Sequence, residues 1–224
     1  MNREIKAMPK IAVVDPLVIP HVLGEGELGC VLEYFVRDKN GNTHDHVVKE
    51  SESYVQQFLE MLYLLMNMSP SSAPVSIRDT LNTLRDTYMP FKNGAGAGYV
   101  SDVLAGAGDV TFGTVVGTGN TAPVITNYVM ETLIAHGVGG GQLQYSVVTF
   151  GAPASDATTS QLTITRNFAN GSGGAITVNE IGLYARVFDG AARYIMLIRD
   201  VIGGGIAVPN GQTLTTNYRP QATI

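Results

Sequence analysis

The stretch Ile176-Thr177-Val178-Asn179-Glu180-Ile181-Gly182-Leu183-Tyr184-Ala185-Arg186-Val187 decides the fold. β-Branched and aromatic residues run through it, and Phe188-Asp189-Gly190 follows, an Asp-Gly signal for a tight hairpin whose turn residues tolerate positive φ. Residues 142–150, 161–168, 193–202 and 212–224 likewise cluster or alternate β-formers between turn residues, and Ala169-Asn170-Gly171 carries a second hairpin signal. Strands at this spacing, with no helical segment between them, predict a mainly β chain with an antiparallel β-sandwich over residues 120–224.

Upstream the pattern is mixed. Residues 29–36 read as a strand, Asn40-Gly41 as a hairpin turn, and 43–49 as the returning strand. A helix is expected over 53–68, with Ser53 and Gln56 as a capping box and Glu50 and Glu52 near the positive end of its dipole. Tyr54, Val55, Phe58, Met61, Leu62 and Leu65 form its apolar stripe. Each larger side chain gains about 1.5–3 kcal/mol on burial, so the helix must be docked. Leu59, Leu64 and Met66 fall off that stripe, which points to a second covered side or a neighbouring subunit. Pro70 and Pro74 bracket the stop. Residues 93–119 read as a glycine-rich, flexible connection with one strand at 110–116, and 127–136 as a short helix capped by Thr126 and stopped by Gly137. The organisation is therefore an N-terminal arm, β-hairpin and docked helix over 1–92, the connection over 93–119, and the sandwich over 120–224.

Composition narrows the function. The 224 residues are 45% hydrophobic and only 15% charged, against about 25% charged in a typical globular chain. Such a chain folds, and a surface so poor in charge is often covered by partners. The net charge of −5 leaves no basic footprint for nucleic acid, and Arg3, Lys6 and Lys10 read as part of an N-terminal arm. Cys30 is the single cysteine, so no intrachain disulfide forms and a reducing compartment is expected. The apolar run at 11–23 is interrupted by Asp15, Pro16, Pro20 and His21, too short to span a bilayer and without a signal-peptide cleavage pattern.

Candidate chemistry is sparse. Gly94, Gly96, Gly98, Gly106 and Gly108 lack the strand-to-helix context of a phosphate cradle. His44 and His46 share a strand face next to a turn, without further visible ligands, and read as a solvated turn. Cys30 sits between apolar neighbours as an inert thiol, and no serine lies in a nucleophile elbow. Glu180, Asp200, Arg166 and Arg199 stand on the predicted sheet strands; the expectation is a structural ion network, with Glu180 paired to Arg166 or Arg199 or held by backbone donors. We expect no catalytic residue, no cofactor and no metal.

A set of strings carries a family likeness. They are Val116-Gly117-Thr118-Gly119-Asn120-Thr121-Ala122-Pro123, Asn167-Phe168-Ala169-Asn170, Ile176 through Tyr184, Ile198-Arg199-Asp200-Val201 and Val208-Pro209-Asn210-Gly211-Gln212-Thr213-Leu214, together with Asp38-Lys39-Asn40-Gly41 near the start. In this order they resemble the minor structural proteins, head- or tail-associated, of tailed bacteriophages. The resemblance implies a non-enzymatic virion subunit, a head decoration or tail and connector component, assembled in the host cytoplasm from many copies and contacting itself and other virion proteins, with neither nucleic acid nor membrane as partner. The rival is a receptor-binding module gripping host glycan through Tyr99, Tyr128, Tyr145 or Tyr218, and a structure with aromatics in a shallow groove would favour it. A hydrolase would need a pocket lined by paired carboxylates.

Overall fold

The computed structural model describes residues 28–51, 53–67, 75–87, 102–188 and 191–224. The expected N-terminal hairpin forms from β1 (Leu28–Arg37) and β2 (Thr43–Glu50). Its turn is set by Asp38, whose Oδ1 accepts from the Asn40 and Asn42 amides at 2.8 and 2.9 Å, and by Gly41 at φ +85°. After helix α1 (Gln56–Asn67) comes a small hairpin of β3 (Val75–Arg78) and β4 (Leu84–Thr87). The rest is β5 (Gly113–Gly117), β6 (Gln144–Tyr145), β7 (Thr149–Phe150), β8 (Ala154–Ser155), β9 (Thr159–Gln161), β10 (Ile164–Ala169), β11 (Ile176–Phe188), β12 (Ala192–Val208) and β13 (Thr213–Thr223).

Two antiparallel sheets face each other. The larger has the order β2-β1-β13-β10-β6, with β7 also on β10, β9 on β13 and β8 on β9; the smaller has the order β12-β11-β5. The chain's first described strand pairs with its last, Leu28 opposite Ala222 through Arg37 opposite Thr213. Leu32, Tyr34, Phe168, Leu214 and Tyr218 of the larger sheet meet Val115, Ile181, Met196 and Ile198 of the smaller in one buried cluster. Along β10 the period is two: Ile164, Arg166 and Phe168 are buried while Asn167 is exposed. The smaller sheet is covered on both faces, because α1 and β3 bring Leu64 and Ile77 against Val187 and Ile195 on its other side. That is why Tyr194 to Ile198 is a continuous apolar run without alternation.

The structure departs from the sequence expectations at several places. No helix forms at 127–136. The backbone there is spent on tertiary partners: Met130 N–H donates to Tyr184 Oη at 2.6 Å, Thr132 N–H to Glu180 Oε1 at 2.8 Å, and Ile134 N–H to Val116 O at 2.9 Å. Asn170-Gly171 is not a hairpin turn. Asn170 still pairs with residues 211 and 212, and the chain then crosses to the other sheet, with positive φ at Gly173. The Asn170 side chain fixes the crossover by donating to Gly174 O at 2.8 Å and Val208 O at 2.6 Å. Strand β12 runs beyond residue 202 to Val208 through a bulge opposite Val178 and Glu180, where Gly204 and Gly205 take φ +83° and +68°. The hairpin from β11 to β12 is present, with Phe188 opposite Ala192; its Asp189-Gly190 turn lies outside the described residues.

Helix α1 is rotated from the expected stripe. Val55 and Leu64 are buried to 1%, while Phe58, Met61 and Leu62 are only half-buried and Leu59 and Tyr63 are 61% and 55% exposed. The capping box does not form either: Gln56 turns along the helix to Glu60 at 2.6 Å, its amide donates to Ile125 O at 2.9 Å, and the Ser53 hydroxyl serves Asp200. Of the N-terminal arm, residues 1–27 lie outside the described residues.

Candidate functional site

The charged residues singled out on the sheet strands come together as structural centres. Glu180 is fully buried on β11 and pairs with Arg199 of β12, Nε to Oε2 at 2.8 Å. Its carboxylate also accepts from the amides of Gly119 (3.1 Å), Glu131 (3.2 Å) and Thr132 (2.8 Å). Arg199 spends its remaining donors on Asn127 Oδ1 at 3.2 Å and Glu131 Oε2 at 3.3 Å, and Glu131 in turn holds Thr121 through both its amide and its hydroxyl. A Cβ at Gly117 or Gly119 would come within 2.5 Å of Glu180 Oε1, so the backbone reaches the carboxylate only because both positions are glycine. Gly182 has a similar reason, since a Cβ there would meet Met130 Sδ at 2.7 Å. The Val116–Thr121, Glu180–Tyr184 and Arg199 strings, far apart in sequence, thus form one network whose carboxylate is satisfied and closed to solvent.

Arg166 does not join it. Its guanidinium donates to five backbone carbonyls, those of Gly106, Asp109, Phe112, Thr114 and Ser146, at 2.6–3.3 Å, and stacks over the Tyr145 ring at 4.9 Å. Burial pulls it down to about 10, with Tyr145 and Asp109 opposing the shift. Gly106 and Gly108, read as part of a flexible connection, lie in the loop that this side chain pins. The signal missed in the sequence is a lone arginine alternating with Ile164 and Phe168 on an inward face: it needs acceptors, and a glycine-rich loop offers bare carbonyls.

Asp200 forms a third centre between the sheets. It accepts from Ser51 Oγ at 2.8 Å and Tyr218 Oη at 3.0 Å and is 1% exposed. Burial raises its carboxyl above the usual range, against the opposing pull of Lys49, Ser51, Tyr218 and Ser53. Cys30 lies in the same region, buried as expected, and desolvation pushes its thiol up to about 12.

His44 and His46 are turned to different carboxylates, Asp38 at 3.6 Å and Glu33 at 2.6 Å, and Asp45 between them has φ +50° beside a register shift. Glu33 is the larger sheet's outward centre, bound also by Arg219 and by Asn217 Nδ2 at 2.6 Å. Burial alone would raise it, but the His46 hydrogen bond, the Arg219 charge and Asn217 bring it down to about 2. Among the described residues no group of three His, Cys, Asp or Glu side chains is placed to hold a metal ion. Of the four tyrosines weighed for glycan contact, Tyr145 and Tyr218 are core residues at 2% and 0% exposure, Tyr99 lies outside the described residues, and only Tyr128 reaches the surface.

Apolar side chains stand exposed around α1 among the described residues. Leu59, Tyr63, Val75 and Ile125 line an open apolar groove of about 300 Å³, with Gln56 and Glu60 at its edge. Leu59 and Ile125 are 61% and 59% exposed, and Val124 beside them 53%. No family model, no curated protein and no solved structure matches the chain.

Proposed function

We propose that the chain is a structural subunit of a tailed-bacteriophage virion, a head-decoration or tail and connector component that works by docking in many copies. The observation that carries this reading is the apolar groove on α1, in a fold where the described buried charges Glu33, Arg166, Glu180, Arg199 and Asp200 hold strands and loops. Burying such side chains gains about 25 cal/mol per Å², and symmetry repeats each contact. The occupant we assign to the groove is residues 11–23 of a second copy. That segment is apolar at Ile11, Val13, Val14, Leu17, Val18, Ile19, Val22 and Leu23, and Pro16 and Pro20 remove two backbone donors, so it suits a groove better than a sheet edge. Lys10, with Lys6 and Arg3 before it, complements Glu60 at the groove's edge and a chain of net charge −5. The resemblance of the Glu180, Arg199 and Gly117–Gly119 strings to phage structural proteins supplies the kind of assembly. The experiment is immunogold labelling of purified particles together with sedimentation of the isolated protein. Labelled particles and a concentration-dependent oligomer support the reading; a stable monomer absent from particles ends it.

A further inference from the structure

We infer that Asn40 is a modification site, at which the exposed Asn40-Gly41 step closes to a cyclic imide and reopens as an aspartyl or isoaspartyl residue. This goes beyond the assembly reading and does not depend on it. The Gly41 nitrogen attacks Cγ of Asn40, a C–N bond forms, and the side-chain nitrogen leaves as ammonia, taking the Gly41 proton with it. Water then adds to one of the two imide carbonyls and reopens the ring. The reaction needs a side-chain amide free to swing, a following N–H that can be released, and no Cβ on the following residue to block the approach.

Asn-Gly occurs four times, and Asn93-Gly94 lies outside the described residues. The structure separates the other three. At Asn170, 2% exposed, the side-chain nitrogen donates to Gly174 O at 2.8 Å and Val208 O at 2.6 Å, and Oδ1 accepts from the Ser172 amide at 2.9 Å and its hydroxyl at 2.7 Å. That amide cannot swing without breaking these bonds. Asn210 is exposed, but its Oδ1 accepts from the Gly173 amide at 2.9 Å, and the nucleophile beside it, Gly211 N–H, donates to Asn170 O at 2.7 Å. Both bonds tie the 209–212 turn to the crossover. Asn40 is held least. It is exposed, its side chain makes no hydrogen bond among the described residues, and nothing lies within 4 Å of where a Cβ of Gly41 would stand. Its one restraint is the Gly41 N–H donating to Asp38 O at 3.0 Å, a bond inside a solvent-exposed turn at the edge of the larger sheet, where local opening is least costly.

Conversion bears on the hairpin. An isoaspartyl link routes the main chain through the side-chain carbon and lengthens the turn. Either product also sets a carboxylate close to Asp38, whose Oδ1 organises that turn by accepting the amides of residues 40 and 42. Strand β2 is the edge of the larger sheet, so its pairing with β1 is what loosens.

The test is to hold the full-length protein at mildly alkaline pH, folded and in urea, and to follow each Asn-Gly peptide by proteolysis and mass spectrometry. An isoaspartyl methyltransferase marks the rearranged product. In the folded protein Asn40 should convert at least about tenfold faster than Asn170 and Asn210, since each of those must give up further hydrogen bonds to react. In urea the three should convert at similar rates. The inference is overturned if Asn170 or Asn210 keeps pace with Asn40 in the folded protein. It is overturned equally if Asn40 leads by the same factor in urea, which would trace the preference to neighbouring sequence and not to the fold. Sedimentation is not among the readouts, so this inference and the assembly reading fail separately.

Discussion

Glu180 and Arg199, on adjacent strands, meet at 2.8 Å with side chains that are 0% and 2% exposed. The pair is bound to a loop as well as to itself, because three amides from residues 119, 131 and 132 converge on the same carboxylate. Glu180→Ala therefore orphans a buried guanidinium and three backbone donors at once. We expect a loss of about 3–5 kcal/mol in urea unfolding. Gly119→Ala should also destabilise, by forcing the loop off the carboxylate. A loss below about 1 kcal/mol for Glu180→Ala would mean that the network contributes little to folding.

Asp200 makes the opposite kind of prediction. Its folded value lies above the ordinary carboxyl value of 3.8, so the folded state holds a proton that the unfolded state releases. Stability from this group is complete below about pH 3.8 and declines as the pH rises through the folded value. Asn keeps an acceptor for Ser51 and Tyr218 without a charge to desolvate. Asp200→Asn should be at least as stable as the parent near neutral pH, with the difference shrinking toward pH 4. Denaturant unfolding across that range decides it, and a markedly weaker variant at neutral pH would show that the ionised form is the one the fold needs.

Much of the fold was legible because it is written in local chemistry. The β11 run, the Asn40-Gly41 turn and the strands at 212–224 and 43–49 each carry their own period or turn residue. The failures share a cause. Thr126 to Gly137 has helix-like ends, but Tyr184, Glu180 and Val116 claim its amides from a distance. Leu64 fell off the apparent stripe and is the helix residue buried to 1%, because α1 packs on β12 and β3 along a line that periodicity within one segment does not show. Glu180 was expected to pair with Arg166 or Arg199; Arg199 lies on the adjacent strand of the same sheet and Arg166 on the other sheet, a difference that only the sheet order shows. The groove lined by Leu59, Val75 and Ile125 was illegible, since its walls come from three segments whose juxtaposition depends on that docking.

Glu33 contributes to the fold's response to acid. Its value of about 2, against an ordinary 4.5, is a depressed carboxylate, so its contribution is present above about pH 4.5 and lost as the pH falls toward 2. Glu33→Gln should cost about 1–3 kcal/mol near neutral pH, and the gap between the two melting curves should close below about pH 4. Parallel curves down to pH 2 would mean that His46 and Arg219 do not hold the carboxylate in solution.

The assembly reading is tested at the groove and at the arm. Leu59 is 61% exposed on α1 and touches the core little, so Leu59→Glu should leave thermal unfolding within about 0.5 kcal/mol of the parent, as surface changes do. The same change places a charge in the middle of the apolar groove beside Glu60, where it opposes both burial and the basic residues of the arm. Deleting residues 1–23 removes the proposed occupant and leaves every described strand intact. Both variants should therefore sediment as smaller species than the parent while melting at nearly its temperature, and the two changes combined should be no worse than either alone, because they break one contact from its two sides. Additive effects would place the arm elsewhere, and an unchanged sedimentation profile for both would remove the groove from the assembly altogether.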